Sequence, residues 1–190
     1  MYQISVNHTT TVKLDAGKEV NLTDAIALSA EAKANRAQVI EGASTVEKQL
    51  VTIIAHYFRP ERDGKWEELK SAVLDTDFCS FSVKRKLVEW IVGKDSLLEG
   101  KERAEYFKSL IDTMRFRNAF THGTFISNGE KVSIHYYEGG QRVVELTDPY
   151  LHDVEVALSN AYHVSNKVAM KSGATKEEGK RAPDGEGVKA

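Results

Sequence analysis

Apolar residues recur at spacings of three and four over most of the chain after residue 20, the pattern of helices that pack one face on a core. This pattern predicts helices over residues 21–40, 44–58, 66–74, 82–92, 101–122 and 148–171. Alanines at positions 27, 30, 34 and 37 give the first helix a face that another helix can approach closely. Ser44 and Glu47 have the spacing of a capping box that opens the second helix. Whether Gly42 breaks one long helix or only bends it stays open.

Two stretches depart from the helical pattern. Residues 2–20 are rich in Thr and Val, and residues 2–6 and 10–14 predict short strands in an N-terminal extension that covers residues 1–20. Residues 124–146 contain an Asn128-Gly129 turn and a second turn at Gly139-Gly140, which together predict a three-stranded β-meander. Asp148 is expected to cap the last helix, with Pro149 as its first residue.

The expected fold is therefore mainly α. We expect a compact antiparallel helical bundle over residues 21–171, with the small β-meander inserted before the last helix and a short extended segment at the N-terminus. Residues 172–190 contain almost no large apolar side chain, and a flexible tail is expected there because nothing repays the entropy of ordering it.

Composition narrows the class of protein. The chain has 190 residues, of which 41% are hydrophobic and 28% charged, as in a single soluble domain with a tail. Its formal net charge of −2 argues against a general nucleic-acid coat but leaves room for a local anion site. One cysteine, Cys79, excludes an intrachain disulfide, and its neighbours Phe78 and Phe81 place it in the core. No apolar run approaches the roughly 18 residues of a membrane span, so a cytoplasmic protein without a membrane contact is expected.

The end of the helix predicted over residues 101–122 concentrates the chemistry of the chain. Arg117, Asn118 and His122 place a fixed cation, an amide and a titratable imidazole within about one and a half helical turns. Arg117 follows the apolar seam of this helix, so its guanidinium is expected to face a carboxylate, a partner subunit or a phosphate. Gly123 is expected to stop the helix. The predicted seam consists of Phe107, Leu110, Ile111 and Met114.

Helical geometry separates these side chains. Arg115, Asn118 and His122 form one stripe, whereas Arg117 lies about 140° away from His122 around a regular helix. One copy of the helix cannot direct both groups at one phosphate unless its end unwinds. Two copies that meet about a two-fold axis can do so.

These residues resemble the Arg-x4-His signature of the HEPN superfamily (higher eukaryotes and prokaryotes nucleotide-binding domain). The matching positions are Arg117, Asn118 and His122, near the end of a long helix and followed by Gly123. Residues 21–171 are compatible with the helical order of that family. The resemblance implies a site at a dimer interface, in which an acidic or polar residue on an earlier helix, here Glu47, supports the signature.

Other polar groups favour structural roles. Glu47 is explained equally well as a helix-capping residue. Arg115 is expected to support the signature as a second cation beside it. Asp75 and Asp77 resemble a metal-binding pair but lack a third ligand at matching spacing, so no metal site is assigned. Residues 84–86, Lys-Arg-Lys, are most simply a solvated helix face, although such a face also tracks an RNA backbone. Four isolated histidines are expected at the surface or at an interface, namely His56, His135, His152 and His163.

The resemblance implies a metal-independent endoribonuclease without a cofactor. In this reading His122 transfers protons, Arg117 stabilises the phosphorane, and Asn118 orients the scissile phosphate or His122. The RNA 2′-OH is the nucleophile, the expected assembly is a homodimer, and a toxin or antiviral-defence setting with an antitoxin or regulatory partner follows from the resemblance. Two alternatives stay open. One is a non-catalytic module for dimerisation, nucleotide binding or partner docking, and the other is a chain that a partner enzyme modifies by nucleotidyl transfer.

Overall fold

Helices make up most of the described chain. The computed structural model describes residues 2–7, 10–14, 22–58, 68, 70–76, 79–128 and 130–179. Four α-helices have described bounds: α1 (Leu22–Phe58), α2 (Phe81–Lys94), α3 (Gly100–His122) and α4 (Asp148–Gly179). The described strands are β1 (Tyr2–Asn7), β2 (Thr10–Leu14), β3 (Thr124–Ser127), β4 (Val132–Tyr137) and β5 (Gln141–Glu145). The prediction of a mainly helical chain with a small antiparallel sheet before the last helix is confirmed.

The five described strands form one sheet in the order β1-β2-β3-β4-β5. The meander β3-β4-β5 is antiparallel, as predicted, and Asn128 shapes its first turn by accepting hydrogen bonds from the backbone N–H groups of Glu130 and Lys131. The two N-terminal strands extend this sheet, because β2 pairs with β3 in parallel, with Thr10 opposite Phe125. The sequence predicted the strands of residues 2–6 and 10–14 but not this pairing.

Helix α1 is continuous through Gly42. A Cβ at this position would lie 3.2 Å from Cδ1 of Leu158, so the glycine allows close packing without ending the helix. Ser44 lies inside the helix, and its hydroxyl donates to the Ile40 carbonyl at 2.8 Å. The predicted capping box of Ser44 and Glu47 is therefore wrong, since no helix begins there.

The alanine face of α1 is also different from the expectation. All four alanines at positions 27, 30, 34 and 37 are exposed, whereas Ala25, Ser29, Ala32 and Val39 are buried. Alanine occurs on the buried side and on the exposed side of this helix, so the hydropathy of the two sides is similar. The period alone therefore does not reveal which side is buried.

Two units divide the chain. The first contains Met1–Thr45 and Lys108–Asn160, and its core combines the inner face of the sheet with side chains of α1, α3 and α4. Phe125 and Ile134 from the meander belong to this core, so the meander is part of the unit and not an appendage. The core cluster consists of Ala32, Val39, Ala119, Phe120, Phe125, Val132, Ile134 and Val154.

The second unit contains Val46–Phe107 and Ala161–Ala190. Its buried side chains include Leu50, Ile53, Val88 and Ile91, and the predicted core position of Cys79 is confirmed. The buried Tyr106 hydroxyl lies 2.9 Å from Oγ of Ser165, and burial raises the pKa of Tyr106. A π-helical turn, Lys70–Leu74, covers part of the helix predicted over residues 66–74, while residues 66, 67 and 69 lie outside the described residues.

The last helix begins and ends differently from the prediction. Thr147 is the capping residue, because its Oγ1 accepts a hydrogen bond from the Tyr150 N–H at 3.4 Å, whereas Asp148 lies in the first turn. Helix α4 extends to Gly179, so residues 172–179 of the expected tail are helical, and residues 180–190 lie outside the described residues. None of the described helices is both long and apolar enough to cross a membrane.

Replacing Ile134 with alanine is expected to lower the free energy of unfolding by about 2–5 kcal/mol, because this fully buried side chain lies between Phe125 and Val144 on the neighbouring strands. Urea unfolding monitored by circular dichroism measures the change. The matched control is Val143→Ala on β5, which is exposed and is expected to cost about 1 kcal/mol or less. Equal effects of the two substitutions would show that the burial of Ile134 in the meander contributes little to the stability of the core.

Candidate functional site

The candidate site lies at the C-terminal end of α3, where the helix meets β3. The helix ends at His122, as predicted, and the Gly123 N–H donates to the Ala119 carbonyl at 2.7 Å. A Cβ on Gly123 would lie 2.3 Å from that carbonyl oxygen and 2.6 Å from Cγ1 of Ile134. Only glycine fits, because the chain turns against its own last helical turn and against the sheet.

Arg117 lies on the buried side of α3. Its neighbours one turn before and after, Thr113 and Phe120, are both fully buried, and Arg117 itself is half-buried. The seam that the sequence predicted is partly corrected, since Phe107 and Leu110 are buried but Ile111 is exposed. Arg117 therefore lies at the edge of the buried face of α3, where a charge needs a polar or charged neighbour more than it does in water.

Asn118 and His122 lie on a different side of the helix. Both side chains are exposed, and they are four positions apart, so they are neighbours along one stripe. The structure keeps α3 helical as far as His122. Because the helix end does not unwind, Arg117 and His122 stay about 140° apart around the axis within one chain.

An ion pair ties the signature helix to the meander. Nε of Arg115 lies 2.8 Å from Oε1 of Glu138, and Nη2 lies 3.3 Å from Oε2. The hydrogen bond and charge of Glu138 raise the pKa of Arg115. The two side chains are 52% and 36% exposed, so the pair contributes at most about 1 kcal/mol to stability. It nevertheless places the β4–β5 turn beside the helix and partly neutralises the predicted supporting cation Arg115.

Tyr150 packs beside the same helix. Its ring meets that of Phe116 edge to face, with centroids 5.7 Å apart, and burial raises the pKa of Tyr150 to about 12. The phenol is therefore neutral at physiological pH and is a poor general base. Because the pKa of a Tyr in an unfolded chain is about 10, the contribution of Tyr150 to stability is lost as the pH rises from about 10 to 12.

Arg36 is a site neighbour that the sequence analysis missed. From α1, its Nη2 donates a hydrogen bond to the Thr121 carbonyl at 2.7 Å, and its guanidinium carbon lies 5.6 Å from the centre of the Phe125 ring. The cation thus satisfies a carbonyl in the last turn of α3, directly before His122, where the helix dipole favours positive charge. The sequence offered no signal for this contact, because the two residues are 85 positions apart and the buried side of α1 is ambiguous in the sequence.

Replacing Arg36 with methionine is expected to loosen the last turn of α3. The loss of a hydrogen bond from a charged donor costs about 1.5–3 kcal/mol, and the faster exchange of the backbone amide hydrogens of residues 119–123 would report it locally. Lys33→Met on the exposed side of the same helix is the matched control. Unchanged amide exchange in the Arg36 variant would contradict a role of Arg36 in holding this turn.

Glu47 has a charged partner in the second unit. Nζ of Lys84 lies 2.7 Å from Oε1 of Glu47, and Lys84 is only 5% exposed. The expectation that residues 84–86 form a solvated face is therefore wrong for Lys84, whose burial is tolerated because the carboxylate compensates its charge. The proposed support of Arg117 by Glu47 stays a prediction.

The remaining candidates differ in their surroundings. His56 is half-buried, and its Nδ1 donates to the Ala169 carbonyl at 2.9 Å, so the surface alternative is wrong for it, while the predicted interface role stays a prediction. His135 lies on β4 with its Nε2 3.1 Å from Oγ of Ser133. Asp75 is exposed, and Asp77 lies outside the described residues. Within the described part of the chain, no three His, Cys, Asp or Glu side chains are grouped closely enough to hold a metal ion.

Comparison with protein-family models gives no match to this chain, and comparisons with curated proteins and with solved structures give none either. The function is therefore inferred from the residues and their geometry.

Proposed function

We propose that this protein is a metal-independent endoribonuclease of the HEPN type that works as a homodimer. The observation that carries the proposal is the arrangement at the end of α3, where Arg117 is half-buried beside fully buried neighbours while Asn118 and His122 are exposed at the helix end. In the HEPN family the Arg-x4-His signature lies near the end of a long helix, and these three residues lie at such an end. The mainly helical chain supports the proposal, and the finer likeness of its helices to a HEPN bundle is part of it.

The proposed reaction needs few protein groups, because RNA carries its own nucleophile. An imidazole of His122 accepts the proton of the 2′-OH, and O2′ attacks the adjacent phosphorus. The bond from phosphorus to the 5′-oxygen then breaks, and the leaving oxygen takes a proton from the other copy of His122. The products are a 2′,3′-cyclic phosphate and a 5′-hydroxyl. Arg117 stabilises the charge of the phosphorane, and Asn118 orients the scissile phosphate.

The geometry of a regular helix supports the proposed dimer. Within one chain Arg117 and His122 point about 140° apart, so one α3 cannot present both to one phosphate. Two α3 helices related by a two-fold axis present both copies of each residue to a phosphate near the axis. Arg36 and Arg115 then lie near the same helix end, Arg36 on a carbonyl and Arg115 on Glu138. Neither contact blocks the exposed His122.

The biological setting belongs to the same proposal. A cytoplasmic toxin or antiviral-defence effector, held inactive by an antitoxin or another regulatory protein, is the setting that the resemblance implies. The meander, tied to α3 through Arg115 and Glu138, borders the site and is the proposed source of substrate preference.

One observation favours a second candidate, a non-catalytic module for dimerisation, nucleotide binding or partner docking. The formal net charge is −2, and Arg115 beside the site already pairs with Glu138, which weakens the attraction of this helix end for a long RNA. Such a module would keep the fold and the dimer without cleaving RNA.

Incubating the purified protein with total RNA in the presence of EDTA separates the two candidates. The nuclease is expected to give fragments with 2′,3′-cyclic phosphate ends, which are detected by ligation that requires this end group. Light scattering at micromolar protein is expected to show a dimer. Intact RNA in a sample that is folded and dimeric would favour the non-catalytic module, and cleavage that needs a divalent metal would contradict the proposed mechanism.

A further inference from the structure

Two aromatic rings of the second unit are exposed side by side. Phe58 ends α1 and is 43% exposed, and Trp90 on α2 is 49% exposed. Their ring planes differ by only 3°, with centroids 6.3 Å apart, and Tyr57 meets both rings edge-on. Nζ of Lys94 lies 4.9 Å from the centre of the Trp90 ring. We call Phe58, Trp90 and Lys94 the aromatic surface.

This exposure is not the ordinary scatter of single apolar side chains over a surface. The two rings stack in parallel and Tyr57 packs edge-on against both, so the orientation of each ring is fixed by its aromatic neighbours. Along α2 the exposed stripe continues to Val83, seven positions before Trp90. Grouped, oriented and exposed aromatic rings are typical of a binding surface.

Among the described residues, the charges of α2 that lack an ion-pair partner are both positive. Within α2, Lys84 pairs with Glu47 and Arg85 pairs with Glu89. Lys86 and Lys94 are exposed, and in the described part of the chain neither forms an ion pair. Glu89 is the one carboxylate of α2, and Arg85 already binds it, while Asp95 follows directly after the helix. Lys86 and Lys94 lie four positions before and four positions after Trp90, so one cation flanks the aromatic ring in each direction along the helix.

We propose that the aromatic surface binds single-stranded RNA by stacking bases on Trp90 and Phe58, while Lys94 and Lys86 contact the phosphates. Every base has a flat π-face, and alternation of aromatic rings with cations is the arrangement that proteins use to hold single strands without reading their sequence. A peptide partner would also pack on the rings, but it would need acidic side chains placed to meet both lysines. Every nucleotide of RNA offers a base for the rings and a phosphate for the lysines. The choice of RNA rests on the proposed function.

Binding is measured with the His122→Ala full-length protein, which removes cleavage from the experiment. Fluorescence anisotropy with a labelled oligouridine of about 12 nucleotides is expected to give an affinity that falls about tenfold or more on Trp90→Leu. Lys94→Gln is expected to lower the slope of log K against log salt by about one. An abasic oligomer of equal length supplies the phosphates without the bases and is expected to bind about tenfold more weakly than oligouridine.

Tryptophan fluorescence tests stacking directly. The chain has two tryptophans, so Trp66→Phe leaves Trp90 as the single reporter, and oligouridine is expected to quench it. The matched control is Tyr137→Ala, the removal of an exposed aromatic ring from the first unit, which is expected to change affinity less than about twofold. Lys94→Gln keeps the test decisive if the Trp90 variant unfolds, because Lys94 is exposed and removes no ring.

Binding that is insensitive to Trp90→Leu and to Lys94→Gln, or equal for the abasic oligomer, would overturn the inference. An unquenched Trp90 would also overturn it and would leave the surface to a protein partner. The proposed function fails in a different way. If wild-type protein cleaves RNA while these binding tests fail, only the aromatic surface is wrong. If the oligomer binds through Trp90 but RNA stays intact, the nuclease is wrong and RNA binding stands.

Discussion

Replacing His122 with alanine is expected to lower kcat/KM for RNA cleavage by about 10²–10⁴-fold, the usual contribution of a general acid or base. The side chain is exposed at the last residue of α3, so its removal leaves the buried core of the first unit untouched. Stability and dimerisation are therefore expected to remain unchanged. Initial rates on a labelled RNA in EDTA, with urea unfolding of the same samples, measure both parts of the prediction.

Exposed histidines elsewhere provide the control for this variant. His152 lies on α4 with its Nδ1 4.0 Å from Glu155, and His152→Ala is expected to retain wild-type cleavage. A 1:1 mixture of wild-type and His122→Ala protein, after subunit exchange, tests the division of acid and base roles between the two copies. Relative to the same total amount of wild-type protein, the mixture is expected to retain about a quarter of the activity if both copies of His122 act on one phosphate. It is expected to retain about half if each copy acts alone. Cleavage unaffected by His122→Ala would remove this residue from the mechanism.

Arg117→Ala is expected to lower kcat by about 10²–10³-fold, because it removes the cation that stabilises the phosphorane. Arg117→Lys is expected to restore only part of this loss, since an ammonium is a point charge and cannot form the two parallel hydrogen bonds of a guanidinium. Arg117 is half-buried between fully buried neighbours, so the lysine variant also separates catalysis from packing. The lysine keeps most of the apolar stem and the positive charge of Arg117.

The matched control for Arg117 is Arg115, two positions earlier on the same helix. Arg115→Gln breaks an exposed ion pair with Glu138 and is expected to change the rate far less than Arg117→Ala does, since an exposed ion pair contributes only about 1 kcal/mol. Single-turnover rates with saturating RNA isolate the chemical step from binding. Full activity of Arg117→Lys would indicate that charge alone matters, and full activity of Arg117→Ala would contradict the site assignment.

Local patterns predicted the parts of this fold that depend on nearby residues. The bounds of α3 followed from its helical period and from Gly123, and the β3-β4 turn followed from Asn128-Gly129. Arg117, Asn118 and His122 all come from this one helix, so their spacing along the chain also gave their angular positions. For these features the sequence was sufficient.

Contacts between distant residues could not be predicted in this way. Arg36 reaches Thr121 over a separation of 85 residues, and no spacing rule connects them. The burial of Lys84 depends on Glu47 in another helix, so its charge alone indicated a solvated face. The sides of α1 were ambiguous because small residues occupy both of them. The pairing of β2 with β3 is parallel and nonlocal, and strand patterns do not specify such partners.

The parallel pair β2–β3 has a consequence for synthesis of the chain. Thr10 lies opposite Phe125, so β2 leaves the ribosome roughly 115 residues before its partner and waits about 6–25 s at ordinary elongation rates. Strand β3 starts two residues after His122, and β4 and β5 follow it along the chain, so the sheet is completed only after the end of α3 has been made. A nascent chain that stops before β3 therefore has β1 and β2 paired with each other but leaves the other edge of β2 open. The sheet of the first unit is therefore completed only when most of the chain has been synthesised.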